Sequence, residues 1–224
     1  MSRTLDIAAG GMQLQALHND IIANNLANVA TTGFKPDALV SRSFKAVMEE
    51  MTGSSAGVAG IAATRPRFEQ GDMVLTGNPL DIALEGDGFL AVMTPEGERY
   101  TRAGVCVLDD AKQLTTPDGF PVLGKGGPVT INGTDVQITG KGEIFVDGTL
   151  VDELRIVDFE KPYALHRAGR NMYVPDDAGA AVLEKPAQTR VNQGFIESSA
   201  VDAVGEMVRM IEVMRAFEAN QKAV

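Results

Sequence analysis

The sequence predicts an α+β fold. Paired N- and C-terminal helices are coiled-coil-like in their apolar pattern, and a mainly antiparallel β domain is inserted between them in the sequence. Both ends, Thr4–Val29 and Ser199–Ala223, carry apolar residues at spacings of three, four and seven, which keeps them on one side of a helix. Near Arg65 the apolar period changes to two, and glycine turns divide the chain into short segments. Because no helix-length segments alternate with these strands, a parallel Rossmann-type sheet is not expected.

The N-terminal helix carries two apolar stripes. One consists of Ile7, Leu14, Leu17 and Ile21, and the other of Leu5, Ala9, Met12, Ala16, Ala23 and Leu26. At ~1.5 Å per residue the helix is roughly 35–40 Å long, which is too long to bury both stripes against a small β domain. Packing between subunits in the manner of a coiled coil explains two stripes. A helical hairpin within one monomer explains the periodicity equally well.

The C-terminal helix shows the same spacing through Val201, Val204, Met207, Val208, Ile211, Met214 and Phe217. Ser199, followed by Asp202 three residues later, resembles a capping box and predicts that the helix begins there.

Composition excludes several functional classes. The 224 residues allow one or two domains, and a hydrophobic content of 44% supports a sizeable core. A net charge of -10 opposes binding to nucleic acid and to anionic membranes. The single cysteine, Cys106, excludes an internal disulfide and a multi-cysteine metal site, and neither a metal nor a cofactor is expected. The N-terminus lacks the pattern of a cleaved secretory signal.

Three segments are expected along the chain. Residues 1–35 and 196–224 form a discontinuous helical domain, residues 36–65 an extended connector with a short helix at Ser43–Met51, and residues 66–195 the β domain. In the β domain, turn sequences such as Asn132-Gly133 and Asp147-Gly148 separate short apolar runs. The predicted strands after the Leu80–Glu85 alternation are Phe89–Met93, Arg99–Thr101, Val105–Leu108, Phe120–Leu123, Val129–Ile131, Val136–Ile138, Glu143–Val146, Glu153–Phe159 and Asn171–Val174.

The first helix ends in Ala23-Asn24-Asn25-Leu26-Ala27-Asn28-Val29, and Thr32-Gly33-Phe34-Lys35 follows. Asparagine suits helix ends because it tolerates left-handed backbone and competes for backbone hydrogen bonds. This N-terminal signature closely resembles that of bacterial flagellar rod and hook proteins. Gly77–Phe89, Tyr100–Gly104, Thr116–Gly124 and the closing block Gln193–Asp202 resemble further signatures of the same family, in the expected order.

The chain departs from the family pattern at three places. Ala30-Thr31-Thr32 replaces the usual trio before the Gly-Phe pair. Cys106 stands where an aromatic residue is usual, and the family usually has a turn glycine near Lys112.

The resemblance implies a structural subunit of the flagellar rod. Its implied partners are other copies of itself, homologous rod and hook proteins and the flagellar type III export apparatus, with export that leaves the N-terminus uncleaved. Its implied location is the basal-body rod, with the proximal-rod type favoured over the distal-rod type, and hook proteins being longer. The expected assembly residues are those of the helix stripes and the signature turn: Ile7, Leu14, Leu17, Ile21, Asn24, Asn25, Leu26, Asn28, Gly33, Phe34, Val204, Met207, Ile211, Met214 and Phe217.

No enzyme is expected, and two alternatives of other classes remain open. A cell-wall hydrolase needs catalytic carboxylates, for which Asp81, Glu85 and Asp87 are the candidates, although strand alternation places all three on an outer polar face. A nucleophile and base pair of Cys106 and His166 lacks any orienting or oxyanion motif. A soluble β-binding module predicts a stable monomer that needs neither helix.

Overall fold

The computed structural model describes residues 2–40, 63–177, 181–184, 186 and 188–223, of which residues 2–10, 40, 63, 184, 222 and 223 are described by their backbone alone. The chain divides into two units. We call them the helical unit (Met1–Val29, Pro36–Arg67 and Val201–Val224) and the β unit (Ala30–Lys35 and Phe68–Ala200). The predicted short helix at Ser43–Met51 lies outside the described residues.

The helical unit contains α1 (Ser2–Ala27), α2 (Ala203–Ala223), β1 (Asp37–Val40) and β2 (Ala63–Pro66). The two helices contact each other, and β1 and β2 pair antiparallel from Asp37 opposite Pro66 to Val40 opposite Ala63. Neither helix, over the described positions, combines the length and apolar character that crossing a membrane requires.

Helix α2 begins at Ala203, four residues after the predicted cap. The carbonyl of Asp202 accepts the first helical hydrogen bond, from Glu206 N at 2.9 Å. Asp202 is therefore the residue that precedes the helix, and the prediction of Ser199 as the cap is wrong.

The β unit is built from short strands, and every strand pair in the described part of the chain is antiparallel. This confirms the predicted α+β class with a mainly antiparallel β domain. The strands are β3 (Met73–Leu75), β4 (Ile82–Glu85), β5 (Phe89–Thr94), β6 (Gly97–Thr101), β7 (Val107–Leu108), β8 (Leu114–Thr115), β9 (Leu123–Gly124), β10 (Gly127–Pro128), β11 (Val136–Ile138), β12 (Glu143–Val146), β13 (Thr149–Glu153), β14 (Ile156–Asp158), β15 (Leu165–Arg167), β16 (Met172–Pro175), β17 (Leu183–Glu184), β18 (Arg190–Gln193) and β19 (Phe195–Glu197).

The largest sheet has the strand order β15-β16-β6-β5-β14-β17, and a three-stranded sheet has the order β11-β12-β13. Two-stranded pairs are β3 with β19, β4 with β18, β7 with β8 and β9 with β10. The pairs β3–β19 and β4–β18 join the beginning of the β unit to its end, so the segment that leads to α2 is held by backbone hydrogen bonds to early strands.

Strand β5 separates two buried clusters. Leu90 and Val92 face an aliphatic cluster that includes Cys106, whereas Phe89 and Ala91 face an aromatic one. Because side chains alternate along a strand, burial on both faces places β5 in the interior of the unit. The aromatic cluster joins Phe68, Phe89, Tyr100, Phe159, Tyr163 and Tyr173, whose rings make edge and tilted contacts.

Two features of the β unit differ from the sequence predictions. The apolar run Val129–Ile131 is buried at Val129 and Ile131, but the strand is the preceding pair Gly127–Pro128, and Thr130 makes only an isolated bridge. Asp81 is buried and does not lie on an outer polar face. Its carboxylate can be buried because it accepts hydrogen bonds from Thr76 Oγ1 (2.7 Å) and Asn78 Nδ2 (3.1 Å). Glu85 and Asp87 are exposed as predicted.

Candidate functional site

An apolar face of α2 is exposed. Its residues follow one another at helical spacing and expose between 50% and 70% of their surface: Val204, Met207, Val208, Ile211 and Met214. We call these five residues the α2 stripe. Four of them are predicted assembly residues. The fifth predicted residue of this helix, Phe217, is half-buried.

Helix α2 also contacts α1. Asn220 Nδ2 donates a hydrogen bond to Gln15 Oε1 at 3.2 Å. Beside it, a groove of about 340 Å³ is lined by Gln15, Ala16, Asn19, Val213, Met214, Phe217 and Glu218. The contact between the two helices is therefore partly polar, and the residues of the α2 stripe remain at least half exposed, although Met214 also lines the groove.

The predicted residues of α1 occupy different environments. Leu14 and Asn24 are exposed, Leu17, Leu26 and Asn28 are half-buried, and Ile21 and Asn25 are buried. Ile7 belongs to α1, but its side chain lies outside the described residues.

Asn25 connects the end of α1 to β1. Its amide group donates to the carbonyl of Asp37 at 3.0 Å and accepts from the backbone N–H of the same residue at 2.9 Å. This pair of bonds imitates a step of a β ladder, so the side chain fixes the helix end against the strand. Three residues on, Asn28 Nδ2 donates to the Asn24 carbonyl at 2.9 Å, as expected of an asparagine at a helix end.

The signature turn, residues 32–35, belongs to the β unit and not to the helices with which the sequence grouped it. Gly33 has φ +64°, and its N–H donates to the carbonyl of Glu197 at 2.7 Å. A Cβ at Gly33 would lie 2.4–2.6 Å from backbone atoms of Arg102 and Ala103. The turn therefore requires glycine both for its left-handed backbone and for its close approach to a neighbouring backbone.

Two residues outside the signatures hold this turn. Asn171 Nδ2 donates to the Thr32 carbonyl at 2.8 Å, and Arg167 Nη2 donates to the Lys35 carbonyl at 2.7 Å. The guanidinium of Arg167 also lies 4.3 Å from the ring centroid of Phe34, which is buried. Gly33 and Phe34 are thus internal residues of the β unit.

Lys35 and Glu197 form a buried ion pair. Neither side chain exposes more than 2% of its surface. Lys35 Nζ donates to Glu197 Oε1 and to the carbonyl of Glu69, and the N–H of Gly71 donates to the same Oε1 at 2.8 Å. Burial is the main cause that lowers the pKa of Lys35, with a smaller contribution in the same direction from the positive charge of Arg102, whereas Glu197 opposes the shift.

Arg102 completes what we call the ion cluster (Lys35, Arg102 and Glu197). Its Nη1 lies 3.4 Å from Glu197 Oε2. The guanidinium also donates to the carbonyls of Leu84 (3.3 Å) and Gly86 (2.6 Å) and lies 5.4 Å from the ring centroid of Phe89. Two cations therefore share one carboxylate in the interior, and backbone carbonyls satisfy part of the second cation.

The ion cluster is where the family-like motifs meet. Lys35 comes from the N-terminal signature, Leu84, Gly86 and Phe89 from Gly77–Phe89, Arg102 from Tyr100–Gly104 and Glu197 from the closing block. Sequence reasoning did not select Lys35, Arg102 or Glu197. The available signal was the presence of one basic residue in each of Thr32–Lys35 and Tyr100–Gly104 and of an acidic residue in the closing block.

The chemistry considered for an enzyme finds little support at these positions. Cys106 is buried in the aliphatic cluster, where burial raises the pKa of its thiol to about 12, so it lacks the thiolate character of a nucleophile. His166 Nδ1 lies 3.0 Å from Asp176 Oδ1 on the exposed side of β15. The carboxylate of Asp81 is engaged in the turn before β4.

The departure at Lys112 is visible in the backbone. Lys112 adopts φ +59°, the left-handed conformation that glycine accepts most easily. Its N–H donates to the Asp109 carbonyl at 2.9 Å, and its own carbonyl accepts from Ile131 N at 2.8 Å. The glycine expected from the family pattern is thus replaced without loss of the turn.

Three family models match the chain. They describe a flagella basal body rod protein (residues 5–35), the D1 domain of flagellar hook protein FlgE/F/G (residues 83–146) and the C-terminal part of flagellar basal body rod FlgEFG proteins (residues 192–224). These ranges contain the terminal signatures and much of the β-domain signatures. They confirm the resemblance that the motifs indicated.

Curated relatives agree with these matches. The chain is 32% identical to the flagellar basal-body rod protein FlgG of Caulobacter vibrioides over 99% of this chain and 94% of that protein. It is 33% identical to FlgG of Borreliella burgdorferi over 100% and 94%, and 35% identical to the rod protein FlgF of Caulobacter vibrioides over 91% and 84%. With this identity along nearly its whole length, the chain belongs to the flagellar basal-body rod protein family.

Proposed function

We propose that the chain is a structural subunit of the bacterial flagellar rod that assembles with copies of itself and with homologous axial proteins into a helical shaft, which transmits torque to the hook. Family membership supports the role of rod subunit. The single structural observation that carries the mode of assembly is the uncovered α2 stripe. Single exposed apolar residues are common on protein surfaces, but five at helical spacing on one face mark an interaction surface.

The stripe is proposed to pack against a helix of a neighbouring subunit in coiled-coil fashion. Met207 and Met214 are flexible and fill irregular gaps, whereas Val204 and Ile211 are β-branched and hold fewer rotamers, so the surface combines adaptable and rigid contacts. On α1, the exposed Leu14 is proposed to extend the same kind of contact. A surface on one subunit that meets a different surface on the next gives an open helical array when the repeated rotation does not close into a ring.

The other predicted assembly residues are proposed to act from inside the subunit. Ile21 and Asn25 hold α1 in the helical unit, and Gly33 and Phe34 hold the signature turn in the β unit. Their contribution to assembly is to fix the elements that carry the exposed residues, not to touch a neighbour.

The location and the export route are proposed on the basis of the family. The chain is placed in the periplasm-spanning rod, with the homologous rod and hook proteins as neighbours and the flagellar type III apparatus as the exporter of an uncleaved chain. A proximal position remains the favoured proposal over a distal or hook-type one. The identities to FlgG and FlgF are similar and do not separate these positions.

The α2 stripe is tested by substituting Ile211→Lys in the full chain and expressing it in a strain that lacks the native chain. Because Ile211 is 52% exposed, we expect normal helicity of the purified protein by circular dichroism and a loss of swimming. Ala216→Lys is the matched control, since it adds the same charge at another exposed position of the helix outside the stripe. Normal swimming with Ile211→Lys would contradict the proposal, and so would an equal loss with Ala216→Lys.

A further inference from the structure

The three members of the ion cluster come from three separate parts of the chain. Lys35 ends the segment 30–35, which we call the N-terminal arm, and Glu197 lies in residues 194–200, which we call the C-terminal arm. Arg102 lies between β6 and β7 in the body of the β unit. The cluster therefore forms only when both arms lie on the body of the unit.

Arg102 needs neither arm to stay in place. Its guanidinium donates to the carbonyls of Leu84 and Gly86 and lies near the ring of Phe89, and all three residues belong to the body of the unit. The body thus presents a positive charge to whichever arm arrives, and this charge is buried once both arms are in place.

The C-terminal arm brings a negative charge to the guanidinium of Arg102. Glu197 supplies a carboxylate that faces Arg102 Nη1 and accepts from Gly71 N. The arm is also held by backbone pairing of β19 with β3 and by Ser198 N, which donates to the Asp72 carbonyl at 2.8 Å. These contacts do not involve the N-terminal arm, whereas the bond from Ala200 N to the Phe34 carbonyl, at 3.0 Å, does.

The N-terminal arm has the opposite dependence. Without Glu197, the ammonium group of Lys35 would bring a second positive charge into a buried site that already holds the guanidinium of Arg102. Like charges repel strongly where water is excluded. Its backbone also uses the C-terminal arm, because Gly33 N donates to the Glu197 carbonyl. Arg167 and Asn171 contact only backbone carbonyls of this arm, and the carbonyl of Glu69 accepts from Lys35 Nζ without carrying a full negative charge, so Glu197 is the carboxylate that pairs directly with the ammonium group.

We propose that the ion cluster imposes an order on the two arms: the C-terminal arm docks on Arg102 first, and its carboxylate then permits the N-terminal arm to dock. The consequence is an asymmetric coupling. The N-terminal arm depends on the charge of Glu197, whereas the C-terminal arm does not depend on Lys35. The segment that leads from α1 is therefore fixed only after the segment that leads to α2.

Hydrogen exchange of the full-length protein, followed by NMR, tests this order. The probes are the amides of Gly33 for the N-terminal arm, Ser198 for the C-terminal arm and Ala91 for the body of the unit. In Glu197→Gln we expect exchange at Gly33 to rise about tenfold or more and exchange at Ser198 to change by less than about threefold. In Lys35→Met we expect Ser198 to keep its protection.

The double variant Lys35→Met/Glu197→Gln removes the repulsion along with the carboxylate, so Gly33 should regain protection relative to Glu197→Gln alone. The controls are Glu160→Gln, at an exposed position of the same unit, and Lys125→Met, which breaks an exposed pair with Glu153; neither should change the probes. If Glu197→Gln also raises exchange at Ala91, the proposed order is judged on the double variant alone, by whether Gly33 regains protection relative to Glu197→Gln. Three results would overturn the proposed order. They are unchanged exchange at Gly33 in Glu197→Gln, a rise in exchange at Ser198 in Lys35→Met as large as that at Gly33 in Glu197→Gln, and no recovery of Gly33 protection in the double variant.

Discussion

Replacement of Gly33 by alanine is the sharpest test of the signature turn. The substitution adds one methyl group at a residue with φ +64°, where a Cβ would lie 2.4 Å from the carbonyl carbon and 2.5 Å from the oxygen of Arg102. These are backbone atoms of the segment that carries the guanidinium of the ion cluster. The turn or that segment must therefore move.

The expected magnitude has two parts. A left-handed backbone costs a residue with a Cβ about 1–2 kcal/mol. Movement of the turn would also weaken the hydrogen bond from Gly33 N to Glu197 O and the hydrogen bonds that Asn171 and Arg167 donate to the turn. Each such bond contributes about 1 kcal/mol. We expect Gly33→Ala to lower the free energy of unfolding by about 3 kcal/mol or more, limited by the free energy with which the arm docks.

Gly119→Ala is the matched control. Gly119 has φ +83° with no atom within 4 Å of an added Cβ, so the control carries the backbone cost without the collision. Urea unfolding followed by circular dichroism and tyrosine fluorescence measures both variants, and hydrogen exchange at residues 31–35 reports local release of the arm. The reasoning is refuted if Gly33→Ala is no less stable than Gly119→Ala and its arm keeps the same protection.

Three further predictions concern single side chains. Lys112→Gly should raise the free energy of unfolding by about 1 kcal/mol in urea titrations, because it relieves a left-handed conformation at φ +59°; a loss of stability would contradict this. Since the folded pKa of Lys35 is lowered from its usual 10.5, the unfolded chain binds more protons between the two values, so stability should rise with pH across that interval. Lys35→Met should lack this rise. Equal slopes of the free energy of unfolding against pH in the native protein and in Lys35→Met would contradict a lowered pKa of Lys35. The thiol of Cys106, with a pKa of about 12, should resist maleimide at pH 8 until urea unfolds the protein; rapid labelling of the folded protein would show that the site is open.

Local patterns predicted the parts of the fold that depend on neighbouring residues. The strands Val136–Ile138 and Glu143–Val146 lie where they were predicted, between the turn sequences Asn132-Gly133 and Asp147-Gly148. Both terminal helices exist because the 3.6-residue period is sustained over long segments. The positive φ of Lys112 agrees with the glycine that the family pattern favours there.

The ion cluster could not be predicted in this way, because its members are far apart along the chain. Lys35 and Glu197 are 162 residues apart, and no periodicity connects them. In the sequence, Lys35 and Glu197 appear only as members of the N-terminal signature and the closing block, with nothing that relates one to the other. The same limit applies to β18 and β19, whose pairing with β4 and β3 depends on contacts across the whole β unit.

The helix stripes were predicted as sets, but the structure divides them. Val204, Met207, Ile211 and Met214 are exposed, whereas Phe217 is half-buried, and both Met214 and Phe217 line the groove beside α1. Periodicity shows that a face is apolar and does not show which partner covers it. Asp81 illustrates a second limit, since alternation placed it on an outer polar face, whereas its side chain is buried and accepts hydrogen bonds from Thr76 and Asn78 of the preceding turn.

Electron microscopy of basal bodies from a strain that lacks this chain tests whether the protein is a structural subunit of the rod. We expect truncated rods without hooks and non-motile cells, both restored by the native chain, and the length of the truncated rod reports a proximal or a distal position. Complete basal bodies with hooks and normal swimming in the deletion strain would show that the rod does not need this protein.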